Sequence, residues 1–307
     1  MMSSTILQVR PARLRDLLAC ARVCVRSIQD LNRRLGKPPL QTHARDLIPF
    51  MRHALRTDPR GFQVAVSEGK IVCYPITILR GKTHFLAQFF SLPRVQSRGI
   101  GRKILTRAFE EPRPPRDAIR CLVASLDVRA ESLYMKFGMQ PRTTIYHLVG
   151  KPSQTTAHGD LELRQVGATG KSTRRSREIA ARFDARLRGA RRDVDQRFFM
   201  TAAPGSRFFE AQRKGRTAGY VVIRENGAIG PAGIVDASLS GDLLAASLER
   251  VHELGSEKAF VWVPGLNAGA VRAAFAAGLK VDFLTVWMAA APIGNLETYI
   301  PSGGVLF

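Results

Sequence analysis

The sequence predicts an α/β chain of the α+β kind, built as two tandem domains, each a mixed, mostly antiparallel sheet flanked by helices. Three observations carry this. Segments with apolar residues at a period near 3.6 are interleaved with short apolar runs bounded by turn residues, in the order strand, helix, helix, three-strand meander, helix, strand, helix. The same order starts again at Asp160. Between them, one strand ends in a glycine loop that opens a helix, Gln96-Ser97-Arg98-Gly99-Ile100-Gly101-Arg102-Lys103.

Residues 6–10 form the first strand, and Pro11 opens a helix with apolar positions Leu14, Leu17, Leu18, Ala21, Cys24, Val25, Ile28 and Leu31. A second helix is expected from Thr42 to Arg56. Strands follow from Phe62 to Val66 and from Ile71 to Leu79, joined at Glu68-Gly69, and after Gly81 a third covers Phe85 to Leu92. Turns this short make the meander antiparallel. Pro93 stops that strand, and the next helix covers Arg102 to Phe109. Beyond Pro112 to Pro115 come a strand from Ile119 to Leu126, a helix from Arg129 to Phe137 with Gly138 as its stop, and a closing strand from Thr143 to Val149.

The second half begins with the strand Leu161 to Arg164. Phe208 to Gly215 mirrors Phe62 to Gly69, including the turn glycine, and Tyr220 falls where Tyr74 does. Asn267-x-x-Ala270 followed by Gly278-Leu279 mirrors Asp127-x-x-Ala130 followed by Gly138-Met139. Two matches in the same order argue for an internal duplication. The expected domains are residues 1–150 and 160–307, with the polar segment 151–159 as linker.

With 307 residues and 45% hydrophobic content the chain can bury a core and is not disordered. No apolar run reaches membrane-spanning length, and the opening residues carry no signal peptide, so a cytoplasmic protein is expected. Cys20, Cys24, Cys73 and Cys121 show no metal-binding spacing and are expected to be buried, reduced thiols; no metal is expected. The formal charge is +22, and residues 1–155 hold 27 Lys and Arg against 10 Asp and Glu. Such an excess attracts polyanions, whether a cofactor, an acidic substrate or nucleic acid. Lys171 to Arg197 holds ten basic residues, with Ile179, Phe183 and Leu187 at helical spacing, which predicts an amphipathic helix with a solvated basic face.

A strand that runs through glycines into a helix N-terminus makes a phosphate cradle: the backbone can approach the anion, and unpaired N–H groups and the positive dipole end point at it. Arg98, Arg102 and Lys103 add charge. Gly101 is followed by Arg-Lys-Ile rather than Lys-Ser/Thr, so this is not a nucleoside-triphosphate loop, and Ile104 stands where a dinucleotide fingerprint needs its third glycine. The Gln-x-x-Gly-x-Gly spacing resembles the pyrophosphate loop of the GNAT superfamily of N-acetyltransferases, which hold acetyl-CoA. The segment from Asp127 through Leu133-Tyr134 to Phe137-Gly138 is similar to that family's second signature, and Tyr299 to Gly304 is similar to the tail of tandem members. The resemblance covers nearly the whole chain, with both motifs in the first half and only the frame in the second.

The resemblance implies direct acetyl transfer from acetyl-CoA to a primary amine in a ternary complex. Backbone groups of Phe89, Phe90 and Ser91 would bond the pantetheine, with a strand N–H polarising the thioester carbonyl. Gln96 belongs to the motif, and N–H groups of Arg98, Gly99, Ile100, Gly101, Arg102 and Lys103 would hold the pyrophosphate. Tyr134 would be the general acid for the leaving thiolate, since a phenol of pKa near ~10 is protonated at neutral pH. Relatives often place a glutamate on the strand before the loop as base. Here that strand offers His84, expected to be solvated, and Gln88, which could orient a water. Asp127 is expected to meet solvent or cap its helix.

The second half reads Ile234 to Asp242 where the loop belongs; the glycine spacing is gone, Asp236 and Asp242 would repel a pyrophosphate, and Ala274 stands where Tyr134 does. Its expected role is to pack on the first lobe and wall the acceptor pocket, with Phe208, Trp262 and Trp287 as core or lining. Two further readings rank below the enzyme: an acyl-CoA-binding regulatory protein without turnover, and a basic protein associated with RNA or the ribosome. The acceptor amine and the oligomeric state are not legible.

Overall fold

A computed structural model describes residues 7–96, 99–151, 159–202 and 205–306. The chain packs as two compact units, the first ending at Arg120 and the second beginning at Cys121.

The first unit opens with β1 (Gln8–Pro11), α1 (Leu17–Arg34), α2 (Ile48–Thr57), β2 (Gln63–Ser67), β3 (Lys70–Arg80) and β4 (Thr83–Ser91). Pro11 ends β1 rather than opening the helix; a short 3-10 turn at Leu14–Asp16 intervenes, and Leu14 stays exposed. The expected second helix likewise begins as a 3-10 turn, Ala44–Leu47, before Pro49 at the start of α2. The strands pair antiparallel in the order β1-β2-β3-β4. Hairpin geometry follows from Glu68 and Gly69, both at positive φ (50° and 70°). α1 buries Leu17, Cys20, Ala21, Val23 and Cys24. α3 (Ile100–Glu110) buries Ile104, Leu105, Ala108 and Phe109. Arg107 donates to the Val9 carbonyl at 3.0 Å, and Thr77 Oγ1 donates to the Ala108 carbonyl at 2.9 Å, tying α3 to β1 and β3.

β5 (Ile119–Ala124) begins in the first unit, where the Ile119 N–H bonds the Lys82 carbonyl at 2.7 Å, and continues in the second. There follow α4 (Val128–Lys136), β6 (Gln140–Gly150), β7 (Leu161–Gln165), α5 (Arg174–Arg188), α6 (Asp193–Thr201), β8 (Arg207–Arg213), β9 (Arg216–Ile223), β10 (Ala228–Ile234), α7 (Ser240–Glu253), β11 (Ala259–Pro264), α8 (Ala268–Ala276), β12 (Lys280–Ala289) and β13 (Tyr299–Ile300). The second unit's strand order is β5-β12-β6-β11-β10-β9-β8-β7, with β13 on β10. β6 therefore lies between β11 and β12, so both neighbours of the strand expected to close the first domain come from beyond residue 258. The expected linker falls largely outside the described residues, at 152–158.

The repeat is visible in geometry. Tyr74 and Tyr220 are both fully buried, each beside the matching phenylalanine, Phe62 at 5.8 Å and Phe208 at 5.5 Å between ring centroids. α4 and α8 have the same length and the same ends. Asp127 caps α4 by accepting from Arg129 N–H at 3.1 Å, and Asn267 caps α8 by accepting from Ala270 N–H at 3.1 Å. Both helices stop in the same glycine motif, at Gly138 (φ 84°) and Gly278 (φ 82°). Met139 N–H bonds the Tyr134 carbonyl at 3.2 Å, and Leu279 N–H bonds the Ala274 carbonyl at 3.0 Å.

The basic segment is two helices, α5 and α6, rather than one. Ile179, Phe183 and Leu187 are buried as expected, but α5 stops at Gly189 (φ 75°), and Arg188 and Arg192 are buried too. Arg192 Nε donates to Asp184 at 2.8 Å, as do Gln196 Nε2 and Tyr220 Oη at 2.7 Å. Arg174, Arg175 and Arg191 pair with Glu178, Glu210 and Asp193. The expected solvated basic face is present on α5, where Arg174, Arg175, Arg182 and Arg186 are exposed; Arg188 and Arg192 depart from it, and Asp184, eight residues before Arg192, draws that arginine inward.

Candidate functional site

β4 is buried from Thr83 to Gln88 and half-buried at Phe89, Phe90 and Ser91. Leu92 N–H bonds the Val72 carbonyl at 2.8 Å, and Phe90 stands opposite Tyr74. Backbone direction alternates along an antiparallel strand, so Phe90 turns its N–H and C=O to β3, while Phe89 and Ser91 turn theirs to the other edge. The Ser91 carbonyl accepts from Ser27 Oγ at 2.8 Å and from Gln96 Nε2 at 3.1 Å. The glutamine of the motif thus fastens the loop to the strand end.

Pro93 opens a 3-10 turn through Val95, because it has no N–H to continue the ladder. Ser97 and Arg98 lie outside the described residues. Gly99 then sits left-handed, at φ 75°, as the residue before α3. A Cβ there would meet nothing within 4 Å, so backbone conformation rather than space calls for glycine. The first intrahelical bond runs from Lys103 N–H to the Gly99 carbonyl at 3.3 Å. The N–H groups of Ile100, Gly101 and Arg102 thus come before the helical ladder begins. Lys103 spends its amide in the helix, and both it and Arg102 keep exposed cationic side chains.

His84, expected to be solvated, is fully buried, 5.0 Å edge-on from the Phe109 ring. Burial, and secondarily Arg120, pushes its pKa down to about 4, so it stays neutral. Gln88 is buried, and its Oε1 accepts from Tyr74 Oη at 3.0 Å rather than orienting a solvent molecule. The four cysteines are free and buried; burial raises each thiol, to about 12 at Cys24 and Cys121, which keeps them inert. Among the described residues no three His, Cys, Asp or Glu side chains gather as a metal site, and no helix is long and apolar enough to cross a membrane.

Tyr134 belongs to the second compact unit and is 7% exposed on α4. Its backbone position in the helix-stop motif is the one Ala274 holds on α8.

The second repeat departs from the first at the matching loop. Asp236 Oδ1 already accepts from Ser238 N–H at 2.9 Å and Ser238 Oγ at 2.7 Å, and Leu239 precedes α7 at φ −94°. Asp242 lies in the first turn of α7. β10 and β11 run parallel and pair only at Ala228↔Phe260 and Ile229↔Val261. Past that point β13 takes the edge of β10, at Ala232↔Ile300 and Gly233↔Tyr299. Tyr299 is fully buried, and its hydroxyl accepts from Arg192. Sequence reasoning missed this seal; the short run Tyr299-Ile300 before Pro301 was its signal. Phe208 and Trp287 are core residues, and Trp262 packs on His147 and Phe283.

No protein-family model matches the sequence, and a search of curated proteins gives no match. Solved structures do match. A Pyrococcus horikoshii protein proposed to be an acetyltransferase superposes with a TM-score of 0.75 at 16% identity, covering 98% of this chain and 96% of that one. A GCN5-related N-acetyltransferase from Sphaerobacter thermophilus gives 0.66 at 16%, covering 95% and 98%. A tandem GNAT protein from the clavulanic acid biosynthesis pathway gives 0.59 at 17%, covering 94% and 99%. The chain therefore has the GCN5-related N-acetyltransferase fold over nearly its full length. Its two-repeat organisation matches, end to end, a protein that carries the fold in tandem.

Proposed function

We propose that the chain is an N-acetyltransferase that moves an acetyl group from acetyl-CoA to a primary amine by direct transfer in a ternary complex, with the first repeat working and the second degenerate. The carrying observation is the contrast between the two loops. The first presents the left-handed Gly99, the leading N–H groups of α3 and two exposed cations. The second fills its turn N–H with Asp236 and its strand edge with β13. Anion affinity at a helix N-terminus needs the N–H groups unoccupied and no competing carboxylate. The repeats are read as residues 1–150 and 160–307, although the chain packs with its division at 120.

In this reading the backbone of Phe89 and Ser91, at the end of β4 and turned away from β3, holds the pantetheine, with Phe90 supporting them through β3. A strand N–H polarises the thioester carbonyl as the amine nitrogen attacks it. Gly99, Ile100, Gly101 and Arg102 hold the pyrophosphate through N–H groups, and Arg98, Arg102 and Lys103 through charge. When the C–S bond breaks, Tyr134 gives its phenolic proton to the leaving thiolate. The proton lost by the amine passes to water, because β4 carries no carboxylate and His84 is buried.

Thiol release from acetyl-CoA, followed over a panel of primary amines, tests this. Turnover with one amine class, lowered about 100-fold or more in Tyr134→Phe with acetyl-CoA affinity retained, supports the reading. The same loss of affinity and rate together would instead make Tyr134 structural. Acetyl-CoA binding with no thiol release for any amine would favour the regulatory reading, which the absence of a carboxylate base supports.

A further inference from the structure

The first unit holds an open cavity of about 700 Å³ that the acetyl-transfer reading does not use. It lies between α1, the β2–β3 turn and the chain just past β4, and no residue of α3 lines it. Its walls carry five cations, Arg10, Arg22, Arg26, Lys70 and Arg94, against one carboxylate, Asp16. Arg10 is spent on that carboxylate, at 2.6 Å and 3.0 Å, and Arg13 N–H donates to it at 2.8 Å.

The other four cations are exposed and form no ion pair among the described residues. Arg33 and Arg34 of the same unit meet Asp30, Arg80 meets Asp58, and Arg107 meets Glu111. Arg22 and Arg26 are four apart, so they share one face of α1 and repel each other. Three separate chain segments thus bring uncompensated charge to one concavity, over a floor that includes Val23, Ile71 and Leu92. No aromatic side chain lines it. The volume suits a small molecule, and guanidinium forks match oxyanions two bonds at a time.

We infer that this cavity is a second anion site, binding a compact small molecule that carries two or more phosphate or carboxylate groups.

The test is calorimetric titration of the full chain with tripolyphosphate and, separately, with citrate. A Gly99→Glu background removes any contribution from the glycine loop. One saturable site is expected, weakened about tenfold or more by the Arg22→Glu/Arg26→Glu double variant and, independently, by Arg94→Glu on a different segment. These positions are exposed, so the unfolding midpoint should not move. Binding of tripolyphosphate alone assigns a phosphate ligand, binding of citrate alone a carboxylate one, and both support the site. No saturable binding of either probe, or binding indifferent to both charge reversals, overturns it. The two readings fail separately: acetyl-CoA affinity follows Gly99, polyanion affinity follows Arg22, Arg26 and Arg94.

Discussion

Gly99 and His84 show how far a single residue can be read. The need for glycine at 99 was legible because a strand stop, two glycines and a helix start leave few backbone conformations, and the residue sits at φ 75°. Its surroundings are open, so Gly99→Ala should cost only the left-handed penalty of about 1–2 kcal/mol and keep acetyl-CoA affinity, whereas Gly99→Glu should lose it. Equal loss in both variants, measured by titration beside thermal unfolding, would count against the cradle. His84 was misread, because nothing local reveals that Phe109 of α3 closes over it. With its pKa at about 4 against an unfolded value of 6.5, the unfolded chain takes up a proton that the folded chain refuses. Stability should therefore be complete above pH 6.5 and fall as the pH drops toward 4, by about 3 kcal/mol at the acid end from this group. His84→Leu should flatten that slope in denaturant titrations across the window; an unchanged slope would assign it to other groups.

At the scale of elements, existence was easier to read than pairing. The strand near Thr143 to Val149 was expected and is there as β6, but its partners β11 and β12 lie more than a hundred residues on. Periodicity tells which face of a strand is buried and nothing about which strand lies beside it. The same limit hid β13. Two residues are too short a run to declare a strand, and only the free edge of β10 makes them one. The Tyr299 ring fills a fully buried position between that edge and Arg188 and Arg192. Tyr299→Ala should therefore cost about 3 kcal/mol or more, since it leaves a cavity and strips a partner from a buried guanidinium. Hydrogen exchange should show the loss concentrated on the backbone N–H groups of Ala232 and Ile234, which face the tail; Ile234 N–H bonds the Thr298 carbonyl at 3.0 Å. Uniform loss across the second unit would mean that β13 is no local seal.

Across the whole molecule the two repeats share a frame and differ in chemistry. The matched caps, glycine stops and buried tyrosines testify to duplication, while the loop before α3 and the loop before α7 carry opposite charge at their first turns. Most of the formal charge of +22 falls in the half that keeps the glycine loop. Solved structures at 16–17% identity share the fold over nearly the full length, so the frame tolerates wide change in sequence. The central claim is that one repeat, the first, holds the cofactor. Calorimetric titration with acetyl-CoA tests it most directly, comparing the unaltered chain with Gly99→Glu and Asp242→Lys. One acetyl-CoA per chain, lost in Gly99→Glu and kept in Asp242→Lys, is the predicted result. Binding that survives Gly99→Glu, two molecules per chain, or none at all would contradict it.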